Sequence, residues 1–167
     1  SNLNDMIREQ LIIDGVVAEE GALLSVMNSK KQTSEKMFAQ GDRIVFLRND
    51  AKSFSFDSTE SDTATKAGRQ IFNGTQAQIL NISEDGRIKA QLLDDEGQQT
   101  DLTVSWDSSS YRYFDHSYAI SSYKSQGKSV DRRVMYHAPH DSPLLSKNEF
   151  LVGISRNKNS VMVYTDD

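Results

Sequence analysis

The chain has no cysteine. That absence removes disulfides, thiolate nucleophiles and thiolate metal sites together, and it fits a reducing compartment. Proline is nearly as scarce: there are 2, Pro139 and Pro143, both between His137 and Ser146. No apolar run approaches the ~20 residues that a membrane-spanning helix needs. The first such run, LIIDGVV, is short and broken by Asp14, so neither membrane insertion nor a signal peptide is expected, and a cytoplasmic location is. An excess of positive charge is also missing. Lys and Arg total 19 against 24 acidic residues, a net charge of −5. Non-specific affinity for nucleic acid comes mainly from phosphate neutralisation, so this balance argues against a generic polyanion binder. A local basic track remains open. Finally, the GxxxxGK[ST] phosphate loop occurs nowhere: Gly127-Lys128-Ser129 lacks the first glycine at the required distance.

What is present fits a globular protein of 167 residues, enough for one domain, or one domain carrying a small insertion, with a real apolar core. Ser1-Asn2 and the abrupt ends suggest a piece cut from a longer chain. Leu3, Met6, Ile7 and Leu11 are spaced for a helix over Leu3–Ile13, with Gly15 placed to end it. Leu23–Met27 reads as a short strand and Thr33–Phe38 as a helical turn or more. In RIVFLRND, Ile44 to Leu47 form a near-continuous apolar run, as in a strand buried on both faces. Asn49 to Gly68 is polar, with only Phe54 and Phe56 as anchors, and reads as a mobile loop. From Ile71 to Trp106, short runs are split by Asn73-Gly74, Asp85-Gly86 and Glu96-Gly97. That texture predicts an antiparallel meander, most easily closed as a small barrel. Beyond Ser117 the pattern alternates: helix over Tyr118–Ser125, strand over Val130–His137, helix over Lys147–Arg156, strand over Ser160–Thr165. Such alternation predicts a parallel sheet with helices packed against it.

Two stretches could carry chemistry. In YAISSYKSQGKSVD, a glycine after Gln126 lets backbone approach a phosphate, and Lys124 or Ser125 can donate to an anion. The same residues also suit a plain helix C-terminus. Lys124, Lys128, Arg132 and Arg133 form the densest positive cluster of the chain. In FLVGISRNKNSVMVYTDD, Arg156 fits either a cation complementing a helix C-terminus or an arginine finger on a transferring phosphoryl group. His116, His137 and His140 lack metal-ligand spacing, and no metal site is expected. The acidic run Asp94-Asp95-Glu96 reads as a solvated turn. Phe54, Phe56, Trp106, Tyr111, Tyr113 and Phe114 suit either a barrel core or base stacking.

In combination, four blocks resemble the second motor half of superfamily 1 DNA helicases of the RecD-like kind, above all the helicase part of TraI/TrwC-type conjugative relaxases. LNDMIREQLIIDGVV is similar to the family's LNxxIRxxLxxxG helix, and GDRIVFLRND to its GDRVMFxxND strand. YAISSYKSQGKSVD is similar to YAxTxHKSQGxTVD, with Tyr123 where the family usually has His. FLVGISRNKNSVMVYTDD resembles the closing arginine block, with Asn157 where the family usually has Ala.

The resemblance implies an α/β fold: a RecA-like parallel sheet with flanking helices over residues 1–69 and 107–167, interrupted by a small Src-homology-3-like β-barrel over 70–106. It implies that Gln126, Gly127 and Arg156 face the nucleotide, with Arg156 catalytic, and that Ser122, Lys124, Ser125 and Lys128 grip single-stranded DNA. ATP and Mg would be held mainly by the first motor domain of the same parent chain, leaving no cofactor tightly bound to this part. The expected function is one part of an ATP-dependent, strand-translocating helicase of a conjugative relaxase, inactive alone, with the conjugative secretion machinery as a further partner. A non-catalytic module binding single-stranded DNA or a secretion partner is the alternative, and a degenerate motor half kept as a scaffold is a third reading.

Overall fold

The computed structural model describes residues 3–58, 69–118, 134–138 and 161–165. The chain divides into two compact units, Ser1–Ala119 and Ile120–Asp167.

The first unit opens with helix α1 (Leu3–Ile13), as its apolar spacing predicts. Backbone bonds from Gly15 N–H to the Ile12 carbonyl (3.0 Å) and from Val16 N–H to the Leu11 carbonyl (2.9 Å) close its last turn. A hairpin follows, β1 (Gly21–Met27) and β2 (Thr33–Ala39), paired from Gly21↔Ala39 to Met27↔Thr33. Thr33–Phe38 is therefore strand, not helix. Its Asn28 turn is held by the side-chain oxygen, which accepts the Lys30 and Gln32 amides.

The remaining strands of this unit are β3 (Arg43–Phe46), β4 (Phe54–Ser58), β5 (Gln76–Ile82), β6 (Arg87–Leu93), β7 (Gln99–Asp107) and β8 (Phe114–His116). They form one sheet in the order β4-β7-β6-β5-β3-β8, with every pairing antiparallel. The expected meander is its middle. Gly74, Gly86 and Gly97 sit in its turns at φ of 91°, 84° and 77°, a backbone region open to glycine at little cost. Asp94 is more than a solvated acid: its Oδ1 accepts the Glu96 and Gln98 amides and closes the β6–β7 turn.

Two sequence readings change here. The Ile44–Leu47 run does not fill a strand buried on both faces; Ile44 and Phe46 point into the core while Arg43 and Val45 are half-buried. The Asn49–Gly68 stretch contains β4, whose Phe54 and Phe56 pair with Trp106 and Val104.

The sheet curls tightly. β3 and β4 are four strand intervals apart, which in a flat sheet would hold them roughly 19 Å apart. Yet the Phe46 and Phe54 ring centroids lie 5.4 Å apart, and Trp106 on β7 meets Phe114 on β8 at 5.6 Å. The hairpin packs onto this core through Phe38, 5.1 Å from Phe114. Phe54, Trp106, Tyr111 and Phe114 are thus core residues rather than base platforms, each contributing about 1.5–3 kcal/mol by burial.

Tyr111 also ties the chain. Its hydroxyl donates to the Arg48 carbonyl (2.7 Å) and accepts the Arg48 amide (3.3 Å). Burial pushes that hydroxyl up to about 12 from 10.0. An acid raised on folding favours the folded state fully below its unfolded value and loses that contribution as pH climbs through the folded one. Alkaline unfolding followed by Trp106 fluorescence should therefore begin above the ordinary tyrosine value of 10.0, and Tyr111→Phe should remove part of that pH dependence.

The second unit contains β9 (Val134–Ala138) and β10 (Val161–Thr165), paired in parallel. Described strand lies within both expected stretches, Val130–His137 and Ser160–Thr165, with β9 running one residue past His137. The expected helices over Tyr118–Ser125 and Lys147–Arg156 lie, beyond Tyr118, outside the described residues.

The α/β expectation is corrected. Among the described residues the architecture is mostly antiparallel β with a single helix, not a RecA-like parallel sheet with flanking helices. The cause is connection length. Parallel neighbours need crossovers of roughly a dozen residues or more, whereas within residues 1–69 β1 and β2 are joined by a tight turn, and β3 and β4 join the antiparallel sheet of the meander.

Candidate functional site

The residues singled out for nucleotide and strand, Ser122, Lys124, Ser125, Gln126, Gly127, Lys128 and Arg156, all lie outside the described residues, as do Arg132 and Arg133.

What the described residues do bring together is a buried ionic node centred on Asp42. The node draws on three of the four blocks that carry the resemblance: Arg8 from the opening helix, Asp42 from the Gly-Asp-Arg strand entry, and Tyr118 from the head of the Lys-Ser-Gln-Gly block. Arg8 Nε lies 3.0 Å from both carboxylate oxygens of Asp42. The Tyr118 hydroxyl donates to Oδ1 at 2.6 Å, and the Ala39 amide donates to Oδ2 at 2.7 Å. That same hydroxyl accepts the Arg43 amide at 3.2 Å, and the Ser117 amide donates to the Arg43 carbonyl at 2.9 Å. Asp42 is fully buried, and the Arg8 side chain is only 13% exposed.

Local backbone shape makes the node possible. Gly41 has φ of 93°, and a Cβ there would lie 2.3 Å from the Val16 carbonyl oxygen. Only glycine permits the turn that carries the chain from β2 to Asp42 against the end of α1.

His116 forms the remaining wall. Its ring stacks on Phe38 at 4.3 Å and on Tyr118 at 6.0 Å. Its Nε2 is 3.8 Å from Asp42 Oδ2, too long for a hydrogen bond, so the two meet through charge alone when the imidazole is protonated. Both that nitrogen and Arg8 Nη2 are buried without a hydrogen-bond partner.

The electrostatics decide what this cluster can do. Burial by itself would raise the Asp42 carboxyl. His116, the Tyr118 hydroxyl, the Ala39 amide and the Arg8 guanidinium outweigh it and hold the group below its ordinary 3.8. Asp42 is therefore an ionised carboxylate whose oxygens are already taken, which disqualifies it as a general base. Tyr118 is shifted the other way, well above its ordinary range, first by burial and then by the Asp42 carboxylate. A phenol so held is not a nucleophile. The node is a positioning device: it fixes helix α1 and the residue from which the chain runs on toward Ser122.

Sequence reasoning missed this convergence because Asp42 and Tyr118 are 76 positions apart. The only signal was that Arg8, Asp42 and Tyr118 each fall in a resemblance block. His116 carried no signal at all. Among the described residues no group of three or more His, Asp or Glu could hold a metal ion, and no helix is long and apolar enough to cross a membrane.

Comparison with known proteins adds one finding. No family model matches the chain. It is 26% identical over 162 residues to a protein described as "Probable conjugal transfer protein TraA" from Sinorhizobium fredii. The match takes in 97% of this chain but 12% of the length of that protein. No solved structure matches.

Proposed function

We propose that this chain is part of a conjugal DNA-processing protein, in which it contributes strand-gripping residues and an arginine to ATP-driven movement along single-stranded DNA. The observation that carries this reading is the 26% identity to the TraA protein over 97% of this chain. Lys124 and Lys128 then contact the strand backbone with Ser122 and Ser125, and Gln126, Gly127 and Arg156 face the nucleotide. ATP and Mg would be held largely by parts of the protein carrying a phosphate loop, which this chain lacks.

The test is made on the full-length protein. Single-stranded DNA should accelerate ATP hydrolysis, and Lys124→Ala should weaken strand binding while reducing the salt dependence by about one phosphate contact. A full-length protein whose hydrolysis ignores the strand overturns the motor reading.

The second reading is a non-catalytic module that binds single-stranded DNA or the secretion machinery. The curled antiparallel unit favours it, because that unit is built without a nucleotide-binding loop. Salt separates its two forms: strand binding weakens steeply with salt, and docking through an apolar surface does not.

A further inference from the structure

Three segments of the first unit are stitched together at one end of the sheet. The Leu47 amide donates to the Tyr113 carbonyl at 2.7 Å. Asp50 and Ile71 exchange backbone bonds at 2.9 and 2.8 Å. The Asn73 amide donates to Asn49 Oδ1 at 2.7 Å, and the Gly74 amide to the Phe46 carbonyl at 2.8 Å. The surface so formed has two features that the fold does not require. The Arg48 guanidinium lies over the Tyr113 ring, 5.0 Å from its centroid. Phe72, in the turn after Ile71, leaves 53% of its surface in water.

Charge runs against the rest of the molecule here. Arg48, Lys52, Arg69 and Arg112 sit on these segments, in a chain of net charge −5. The carboxylate on these segments, Asp50, feels the Arg48 charge but spends its hydrogen bonds on the Lys52 and Ser53 amides and the Ser53 hydroxyl. Arg48 is also held in place. Tyr111 ties both its backbone groups, and Tyr113, packed against the core, supports its guanidinium from below. A guanidinium plane held on an aromatic ring and an exposed phenyl ring, on segments that also carry Lys52, Arg69 and Arg112, match the chemistry of an unpaired strand: bases stack on the planes and phosphates meet the cations.

We infer that this surface is a second contact for single-stranded DNA, with Arg48 and Phe72 as base-stacking platforms and Tyr113 as the residue that positions Arg48. It rests on the strand-binding part of the proposed function but uses none of the residues assigned there.

The probe is a fluorescent oligothymidylate of roughly 16 nucleotides, titrated with the whole chain at two salt concentrations. Phe72→Ala and Arg48→Met should each weaken binding about ten-fold, the size of one lost stacking contact. Arg48→Met should also lower the salt slope, whereas Arg48→Lys should restore the slope without restoring affinity, because lysine returns the charge but not the plane. Trp106 fluorescence should be unchanged in all three. Variants that bind within about two-fold of the parent chain, or displacement of the oligonucleotide by polyglutamate as readily as by unlabelled strand, overturn the inference. So does a parent chain that shows no binding. If Lys124→Ala weakens binding and these variants do not, the surface is excluded and the proposed function stands. If they weaken binding while the full-length protein shows no strand-stimulated hydrolysis, the surface stands and the motor reading falls.

Discussion

Arg156→Ala in the full-length protein is expected to lower strand-stimulated ATP hydrolysis by about a thousand-fold or more, the size of effect carried by an arginine that meets the transferring phosphoryl group. The reason is where charge develops. As the terminal phosphoryl group departs, negative charge spreads over its oxygens, and a guanidinium held there lowers the barrier without weakening ground-state binding. Nucleotide affinity should therefore change little while turnover collapses. Arg156→Lys should rescue poorly, because a point charge does not reproduce the two-pronged fork. If Arg156 merely complements a helix terminus, the loss is a modest one in stability, about 0.3–1 kcal/mol, and turnover survives. Steady-state hydrolysis alongside nucleotide binding separates the two, and preserved turnover in the alanine variant removes the catalytic assignment.

The second large effect is expected at Asp42. Asp42→Ala leaves the buried Arg8 guanidinium without its counter-charge, and breaking a buried pair from one side costs about 3–5 kcal/mol. Tyr118→Phe removes a hydrogen bond to a charged acceptor and the one accepted from the Arg43 amide, and the first alone should cost about 1.5–3 kcal/mol. Urea unfolding read through Trp106, the chain's 1 tryptophan, reports on the antiparallel unit that contains both residues. The pH dependence has a definite sign. Because the folded Asp42 carboxyl lies below its ordinary 3.8, its contribution is fully present above that value and is lost as pH falls through the folded value. The parent chain should therefore lose stability in strong acid, and Asp42→Ala should be less sensitive there. Equal acid sensitivity in the two proteins would mean that the carboxylate contributes nothing as an ion.

Local signals carried far in this sequence where structure depends on neighbours. The helix over Leu3–Ile13 follows from its own apolar spacing, and the turns at Gly74, Gly86 and Gly97 follow from the residues that form them. Partner choice between distant segments was not legible. Phe54 and Phe56 sit in a polar stretch that looks like loop, and they become a strand only because Trp106 and Val104 offer an edge some 50 positions away. Thr33–Ala39 becomes strand because Gly21–Met27 folds back on it. The parallel-sheet expectation carried the alternation after Ser117 over to residues 1–69, where the described strands pair antiparallel instead. The Asp42 node was visible only as fragments of separate blocks, since no spacing rule links a helix arginine, a turn aspartate and a tyrosine more than a hundred residues from the first of them. Arg48 and Phe72 left no trace in the pattern: an exposed ring in an Asn-Gly turn looks like any other turn.

The grip on Tyr118 has a mechanical corollary. A phenol bonded at once to a buried carboxylate and to the backbone of β3 is a fixed point, and the polypeptide leaves it only four residues before Ser122. Within the first unit, this rivet holds the chain just past β8 against the entry to β3. Loosening it would let those two stretches slip past each other without altering any proposed contact residue.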